Sequence, residues 1–274
     1  MNDTTKTELC PISGELMNLA FQEMILGKYF VNYYYCEESG FLKTEKPYWL
    51  DEAYQSAIGE TDTGLVERNI SNSRWLEIIL QLLFKGKGRF LDVAGGYGLL
   101  ARLMRDKGFD FYTVDKYSTN LFASYFEPEI DFRADALCAF EVLEHIENPK
   151  QFLVEIFTKY NCKTFLFSTL TFSDNQIPPK TWWYYAFHGG QHITFYQPRT
   201  LKLLAQSLGL NYYMIRSDLH IITDLKLTNR SKIVLYNHRI QRLYFLYARR
   251  KRKGMSKTWE DHILITDKIK NNYT

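Results

Sequence analysis

Apolar and polar positions along the chain follow two periods, and the change from one to the other marks the elements. Trp75, Ile78, Ile79, Leu82 and Leu83 recur at the three-to-four spacing of one helical stripe, which predicts a helix from Arg74 to Leu83. The short apolar run that follows, Phe90-Leu-Asp-Val93, reads as a buried strand; it breaks at Ala94-Gly-Gly-Tyr-Gly98, and helical pattern resumes at Leu99-Leu-Ala-Arg-Leu-Met104. Phe111-Tyr-Thr-Val-Asp115 is a second strand. Further on, Lys150 to Tyr160 has helical spacing, Lys163 to Leu170 alternates as a buried strand, and Pro198 to Leu208 is a proline-initiated helix closed by Gly209. Leu210 to Ile215 and His220 to Thr223 read as a last strand pair, and Ser231 to Ala248 is apolar and aromatic at helical spacing. Strands alternating with helices predict an α/β domain with a largely parallel sheet.

The glycines between the first strand and its helix carry the first chemical signal. Gly95, Gly96 and Gly98 let the backbone turn sharply and let a ligand come within contact distance, and the next helix offers its N-terminal amides. Asp115 ends the second strand about twenty residues later, the offset of a carboxylate that holds ribose hydroxyls. A nicotinamide dinucleotide fits poorly, because the pattern is Gly-Gly-x-Gly and Asp92 at the loop entrance would repel a pyrophosphate. A cationic nucleoside suits that acid.

These residues, with Asp135-Ala-Leu-Cys-Ala-Phe-Glu-Val-Leu-Glu-His-Ile-Glu-Asn-Pro149, resemble the class I S-adenosylmethionine-dependent methyltransferases, whose fourth strand in small-molecule enzymes is followed by Glu-x-x-Glu-His. The resemblance implies a Rossmann-like sheet with helices on both faces and S-adenosyl-L-methionine as cofactor. It places Asp92, Ala94, Gly95, Gly96, Gly98, Asp115, Phe140 and Glu141 around that cofactor. The piece from Lys116 to Ala134 must then hold a helix and any third strand, with Asp131 the nearest candidate for the adenine amine and backbone or apolar contacts the alternative.

Before this domain, Cys10-Pro-Ile-Ser-Gly14 and Cys36-Glu-Glu-Ser-Gly40 repeat a Cys-x-x-Ser-Gly unit on either side of a strand-like run, Tyr29 to Tyr35. Each unit looks like a zinc-ribbon knuckle that has lost its second sulfur to Ser13 or Ser39, so no bound metal is expected. A ribbon in this position is similar to that of bacterial methyltransferases of sugar and polysaccharide pathways, including sugar-nucleotide C-methyltransferases. In the approach segment from Lys46 to Arg74, Tyr54, Thr63, Arg68 and Asn69 are candidates to contact the methionine end or the acceptor, or to belong to a packed lid.

From Thr171 to Gly190 the chain carries an unusual density of rings. Surface loops do not normally hold so many, so Trp182, Trp183, Tyr184, Tyr185 and His188 are expected to wall a substrate site. His192, in Gly189-Gly-Gln-His-Ile-Thr-Phe-Tyr196, resembles the general base of sugar-nucleotide C-methyltransferases, although Gln191 and Gly189 replace that motif's Glu and Tyr. The expected catalytic residues are therefore His192, then His145 with Glu141; Glu144 and His145 could equally cap the following helix.

The chain has 274 residues, a formal charge of +3 and 46% apolar residues. That charge is too small to argue for nucleic acid, even with Arg249-Arg-Lys-Arg-Lys253 near the end, which reads as a solvated helix terminus or as a phosphate-binding patch for a nucleotide-linked or lipid-linked sugar. Four scattered cysteines and no apolar run of membrane length suggest a cytoplasmic protein. The domains expected are a ribbon-like segment over 1–45, a cofactor domain over 46–224 and a helical basic extension over 225–274. The function expected is methylation of a small polar acceptor such as a sugar; a binding module without turnover and an RNA methyltransferase are the alternatives.

Overall fold

The structure is a computed structural model that describes residues 8–54, 62–173 and 176–271. Its chain divides into two compact units, Met1–Gly59 with Ala139–Leu225, and Glu60–Cys138 with Lys226–Thr274.

In the first unit β1 (Glu8–Leu9), β2 (Leu16–Ile25), β3 (Tyr29–Tyr35), β4 (Leu42–Thr44) and β9 (Thr194–Phe195) form an antiparallel sheet in the order β1-β2-β3-β4-β9. The β2–β3 hairpin turns through Leu26 and Gly27, both at positive φ, the geometry that matches the twist of paired strands. One face of this sheet is an aromatic core: Tyr33, Trp49, Phe172, Tyr184, Tyr185 and Phe195 are buried together, with Phe21 stacked on Tyr33 at 4.5 Å between centroids. The two Cys-x-x-Ser-Gly units are tight turns, closed by Gly14 N donating to Cys10 O and Gly40 N to Cys36 O, both at 2.8 Å. They meet crosswise, Cys10 Sγ lying 3.2 Å from Ser39 Oγ and Ser13 Oγ 3.5 Å from Cys36 Sγ.

The remaining strands are ordered β10-β11-β8 in the first unit and β7-β5-β6 in the second. Within the first unit β11 (Leu219–Thr223) pairs antiparallel with β8 (Thr164–Ser168) on one side and with β10 (Asn211–Arg216) on the other. Within the second, β5 (Arg89–Val93) lies parallel to β6 (Asp110–Val114) and to β7 (Ala136–Ala139). Helices α4 (Pro149–Lys159) and α5 (Pro198–Ser207) belong to the first unit, and each starts with proline at a position whose amide needs no partner. The second unit holds α2 (Leu65–Phe84), α3 (Leu99–Asp106), α6 (Asn229–Tyr236), α7 (His238–Lys251) and α8 (Thr258–Asn271). The α/β class expected from the alternation is the class observed.

One expectation fails. Between β6 and β7 there is neither a helix nor a third strand. Thr113 N donates instead to Phe126 O at 3.0 Å, and Phe126 and Phe132 pack against Tyr112, so an irregular aromatic segment covers the β6 edge where another strand would pair. Within the basic run, Arg252 is not a solvated cation. It donates to the carbonyls of Lys107, Gly86 and Gly108 and lies over the Phe109 ring, and Arg105 grips the buried Asp261 of α8 through Nε at 2.8 Å and Nη2 at 2.6 Å. These bonds fasten the C-terminal helices to the rest of the second unit.

Candidate active site

The glycine loop of the second unit is built as the sequence requires. Gly96 (φ 57°) and Gly98 (φ 81°) sit in the left-handed region, and so does Ala94 (φ 59°), which bears a Cβ and is therefore strained. A Cβ on Gly95 would stand 2.3 Å from Thr113 Oγ1 and 2.6 Å from Asp92 Oδ2, so that glycine is dictated by crowding, whereas a Cβ on Gly96 would meet open space. Gly98 then opens α3.

Asp92 and Asp115 differ sharply in surroundings. Asp92 is 3% exposed, and its polar neighbour is the thiol of Cys138, 3.7 Å away. Burial, reinforced by the charge of Asp115 and only partly offset by that thiol, pushes its pKa up to about 8. Asp115 instead accepts three backbone amides: Tyr117 N and Ser118 N at 2.7 Å on Oδ1, and Gly96 N at 2.9 Å on Oδ2. A carboxylate has about four acceptor positions, so one remains on Oδ2 for a ribose hydroxyl. Thr113, the inward residue between them, has a buried hydroxyl oxygen with no hydrogen-bond partner. An open glycine cradle, a spare acceptor and an unmet hydroxyl fit an adenosine sulfonium, and a positive group close to Asp92 would pull its proton off. Thr113 was not singled out from sequence; a polar residue on the inward side of β6 was the available signal.

In the first unit the residues that follow β7 form the second constellation. Glu141, at φ 55°, donates its amide to Ser168 Oγ at 2.8 Å and receives that hydroxyl on its own carboxylate at 2.6 Å. Leu143–His145 is a single 3-10 turn, stapled to the segment around β9: Ile193 N donates to Glu144 O, and Thr194 Oγ1 and Tyr196 OH both donate to Leu143 O. That stapling brings His145 and His192 together, with ring centroids 4.9 Å apart and edge to face. His192 Nδ1 lies 2.6 Å from the Tyr184 carbonyl, and His145 Nδ1 lies 2.8 Å from the hydroxyl of Tyr54, just past the short helix α1 (Leu50–Ala53).

Glu144 is fully buried, and neither of its carboxylate oxygens has a hydrogen-bond partner. Burial and the charge of Glu141 raise its pKa to about 8; its own amide and the hydroxyls of Tyr184 and Thr169, near the carboxylate but outside hydrogen-bond geometry, temper the rise. Burial, with the neighbouring His192, lowers His145 to about 3; burial also lowers His192. Both rings are consequently neutral near pH 7.

Of the other residues named from sequence, Phe140 is half-buried directly after β7, and Asp131 is exposed in a turn. Arg68 is paired with Asp62 at 2.7 Å, Asn69 donates to Leu65 O, and Thr63 is exposed. The aromatic run is only partly the exposed wall that its composition suggests. Tyr184 and Tyr185 are buried in the core beneath β2 and β3 and Trp182 is half-buried against them, whereas Trp183 (73% exposed) and His188 reach solvent.

No curated protein matches the chain. Among solved structures it is similar to a magnesium protoporphyrin IX methyltransferase from Synechocystis PCC 6803 with bound SAH, at 13% identity over 64% of this chain and 94% of that one, with a TM-score of 0.41. A human N-acetylserotonin methyltransferase in complex with SAM is 13% identical over 65% and 66% of the two chains, with a TM-score of 0.39. An O-methyltransferase family protein from Burkholderia thailandensis is 14% identical over 64% and 66%, with a TM-score of 0.42. Among the described residues no helix is long and apolar enough to cross a membrane. The Methyltransferase domain family matches residues 67–214, more than half of the chain and inclusive of the glycine loop, Asp115 and the Glu141–His145 turn, so the chain belongs to that family and is an S-adenosyl-L-methionine-dependent methyltransferase.

Proposed function

We propose that the protein methylates a hydroxyl of a small polar acceptor, a sugar or nucleotide-linked sugar, and that the acceptor is activated at the Glu144–His145–His192 cluster. The cluster carries this reading: two neutral imidazoles and a buried carboxyl group without a hydrogen-bond partner gather where the turn after β7 meets the segment leading into β9. The cofactor supplies an electrophilic methyl group on sulfur. That methyl would pass to the oxygen of an acceptor hydroxyl that gives up its proton, with the carbon–sulfur electron pair remaining on the departing thioether. Asp115 and the glycine loop hold the adenosine, while the cluster takes charge of the proton.

The sugar assignment is supported by the N-terminal segment, whose two knuckle turns read as a ribbon that has exchanged its metal for thiol–hydroxyl contacts. Exposed Trp183 gives a ring on which a sugar face can stack. The RNA alternative is weakened because Arg252, inside the basic run, is committed to backbone carbonyls.

Titration calorimetry with S-adenosylmethionine, then turnover on a panel of sugars and nucleotide-linked sugars read by mass spectrometry, tests the reading. Asp115→Ala removes a charged acceptor and should weaken cofactor binding about 10- to 100-fold. Cofactor binding without a methylated acceptor anywhere on the panel would replace the enzyme by a binding module.

A further inference from the structure

Among the described residues, Glu144, His145 and His192 are the one group of three metal-ligating side chains that converge, each offering an atom within 4.8 Å of the others. We propose that these three residues bind a divalent transition-metal ion through one Glu144 oxygen and one ring nitrogen of each histidine, leaving the ion's remaining positions for the acceptor hydroxyl. The inference rests on the acceptor-activation reading above and specifies its means: the hydroxyl is acidified on an ion and its proton leaves to solvent water, so His192 acts as a ligand rather than as a free base.

Three observations support the site. Buried polar groups almost always find partners, yet both Glu144 oxygens lack one in a side chain that is 0% exposed. An ion supplies what they lack. Second, each histidine has its Nδ1 engaged, the usual way a ligating imidazole is oriented. A carbonyl can only accept, so His192 carries its proton on Nδ1 and the neutral ring keeps a lone pair on Nε2. His145 holds Nδ1 against the Tyr54 hydroxyl, and an ion on the ring's other nitrogen would compete with the Gln191 carbonyl, which also draws on this imidazole. Third, the turn bearing Glu144 and His145 is held by backbone and hydroxyl bonds to residues 193–196, immediately after His192, so the donors are positioned before anything binds. Two imidazoles with one carboxylate suit zinc, manganese, iron or cobalt and leave coordination positions open. Glu141 lies outside the converging set, with its Oε1 bound to the Ser168 hydroxyl.

The test uses the full chain stripped of metal by a chelator and titrated with cobalt(II), followed by visible absorption. The expected result is one equivalent bound, with ligand-field bands and no thiolate charge-transfer band, which distinguishes this site from Cys10 and Cys36. Glu144→Gln and His192→Ala should each weaken cobalt binding at least about 10- to 100-fold. Glu144→Gln should bind S-adenosylmethionine as wild type does, which shows that the variant is folded and that the cofactor site is separate. No cobalt absorption in the wild type, or equal absorption in Glu144→Gln, overturns the site. For the site's role, methyl transfer should fall on chelation and return with zinc or manganese; turnover unchanged after chelation overturns it. Cobalt binding without any methylated acceptor keeps the site and removes the acceptor reading alone.

Discussion

Among the described residues of the first unit, metal-ligating residue types converge at two places, and these are resolved in opposite ways. At the knuckle turns two thiols and two hydroxyls face one another crosswise, at 3.2 Å and 3.5 Å, and Ser39 Oγ also accepts Phe41 N, so every group is satisfied within the protein. At the Glu144 cluster the supporting bonds are all in place, but the carboxylate is left without a partner. A site that closes on itself is a structural staple. One that spends stability on an unmet charge-bearing group is arranged for something to bind.

The largest expected effect comes from reopening the closed site. Ligand sulfurs 2.3 Å from a tetrahedral zinc stand about 3.8 Å apart, close to the present crosswise spacings. The double substitution S13C/S39C should therefore bind one zinc and raise the melting temperature in a zinc-dependent, chelator-reversible way, since a structural zinc contributes on the order of 10 kcal/mol. If the double variant binds no zinc, the turns are not knuckle-derived and the sugar-pathway argument loses its support.

A second pair of substitutions asks whether the two places really differ in sign. Ser39→Ala removes a buried hydroxyl that serves two partners and should cost about 1–2 kcal/mol. Glu144→Met removes an unsatisfied buried carboxyl and should stabilise the metal-free protein by about 1–3 kcal/mol while it abolishes cobalt binding. Urea denaturation of both variants measures this. A destabilised Glu144→Met would mean that the carboxyl is part of the packing and that the contrast is false.

How much of this was readable in the sequence depends on how local the cause is. Tyr29–Tyr35 is a strand with the bounds its alternation gives, and the glycine loop with its flanking acids was legible because crowding, positive φ and charge are properties of a few consecutive residues. The aromatic run shows where locality ends. Tyr184 and Tyr185 look like surface rings until β2 and β3, some 150 residues earlier, supply the face that buries them. The missing third strand has the same origin, because Phe126 and Phe132 resemble strand residues by composition but pack as a cover over Tyr112. At the site, His145 and His192 were both named individually. Their meeting depends on the backbone bond from Ile193 to Glu144, which no periodicity encodes, and the unmet state of Glu144 is visible only once its neighbours are placed.

The pH dependence of stability offers the smallest and most discriminating test. Glu144 and Asp92 titrate at about 8 in the folded chain, against ordinary values of 4.5 and 3.8, so at intermediate pH the folded state holds two protons that the unfolded state has released. Stability changes with pH as the protons bound unfolded minus folded, so these two groups make it fall as pH rises toward 8. His145 and His220, lowered by burial to about 3 and about 4 from 6.5, have the opposite sign: the unfolded state takes up their protons first, and stability falls as pH drops below 6.5. From about 4.5 to 6.5 the histidines, His192 among them, work against the two acids, and between 6.5 and 8 the acids' contribution prevails, each a loss of at most about 1.4 kcal/mol per pH unit. Urea melts of the metal-free protein across that upper window should therefore show a decline that Glu144→Met halves, while Ser39→Ala lowers the whole curve without changing its slope. Added zinc should abolish the Glu144 share as the substitution does, because an ion bound to the carboxylate removes its reason to hold a proton. An upper limb that zinc leaves untouched but Glu144→Met still halves would place the proton on Glu144 and the metal somewhere else.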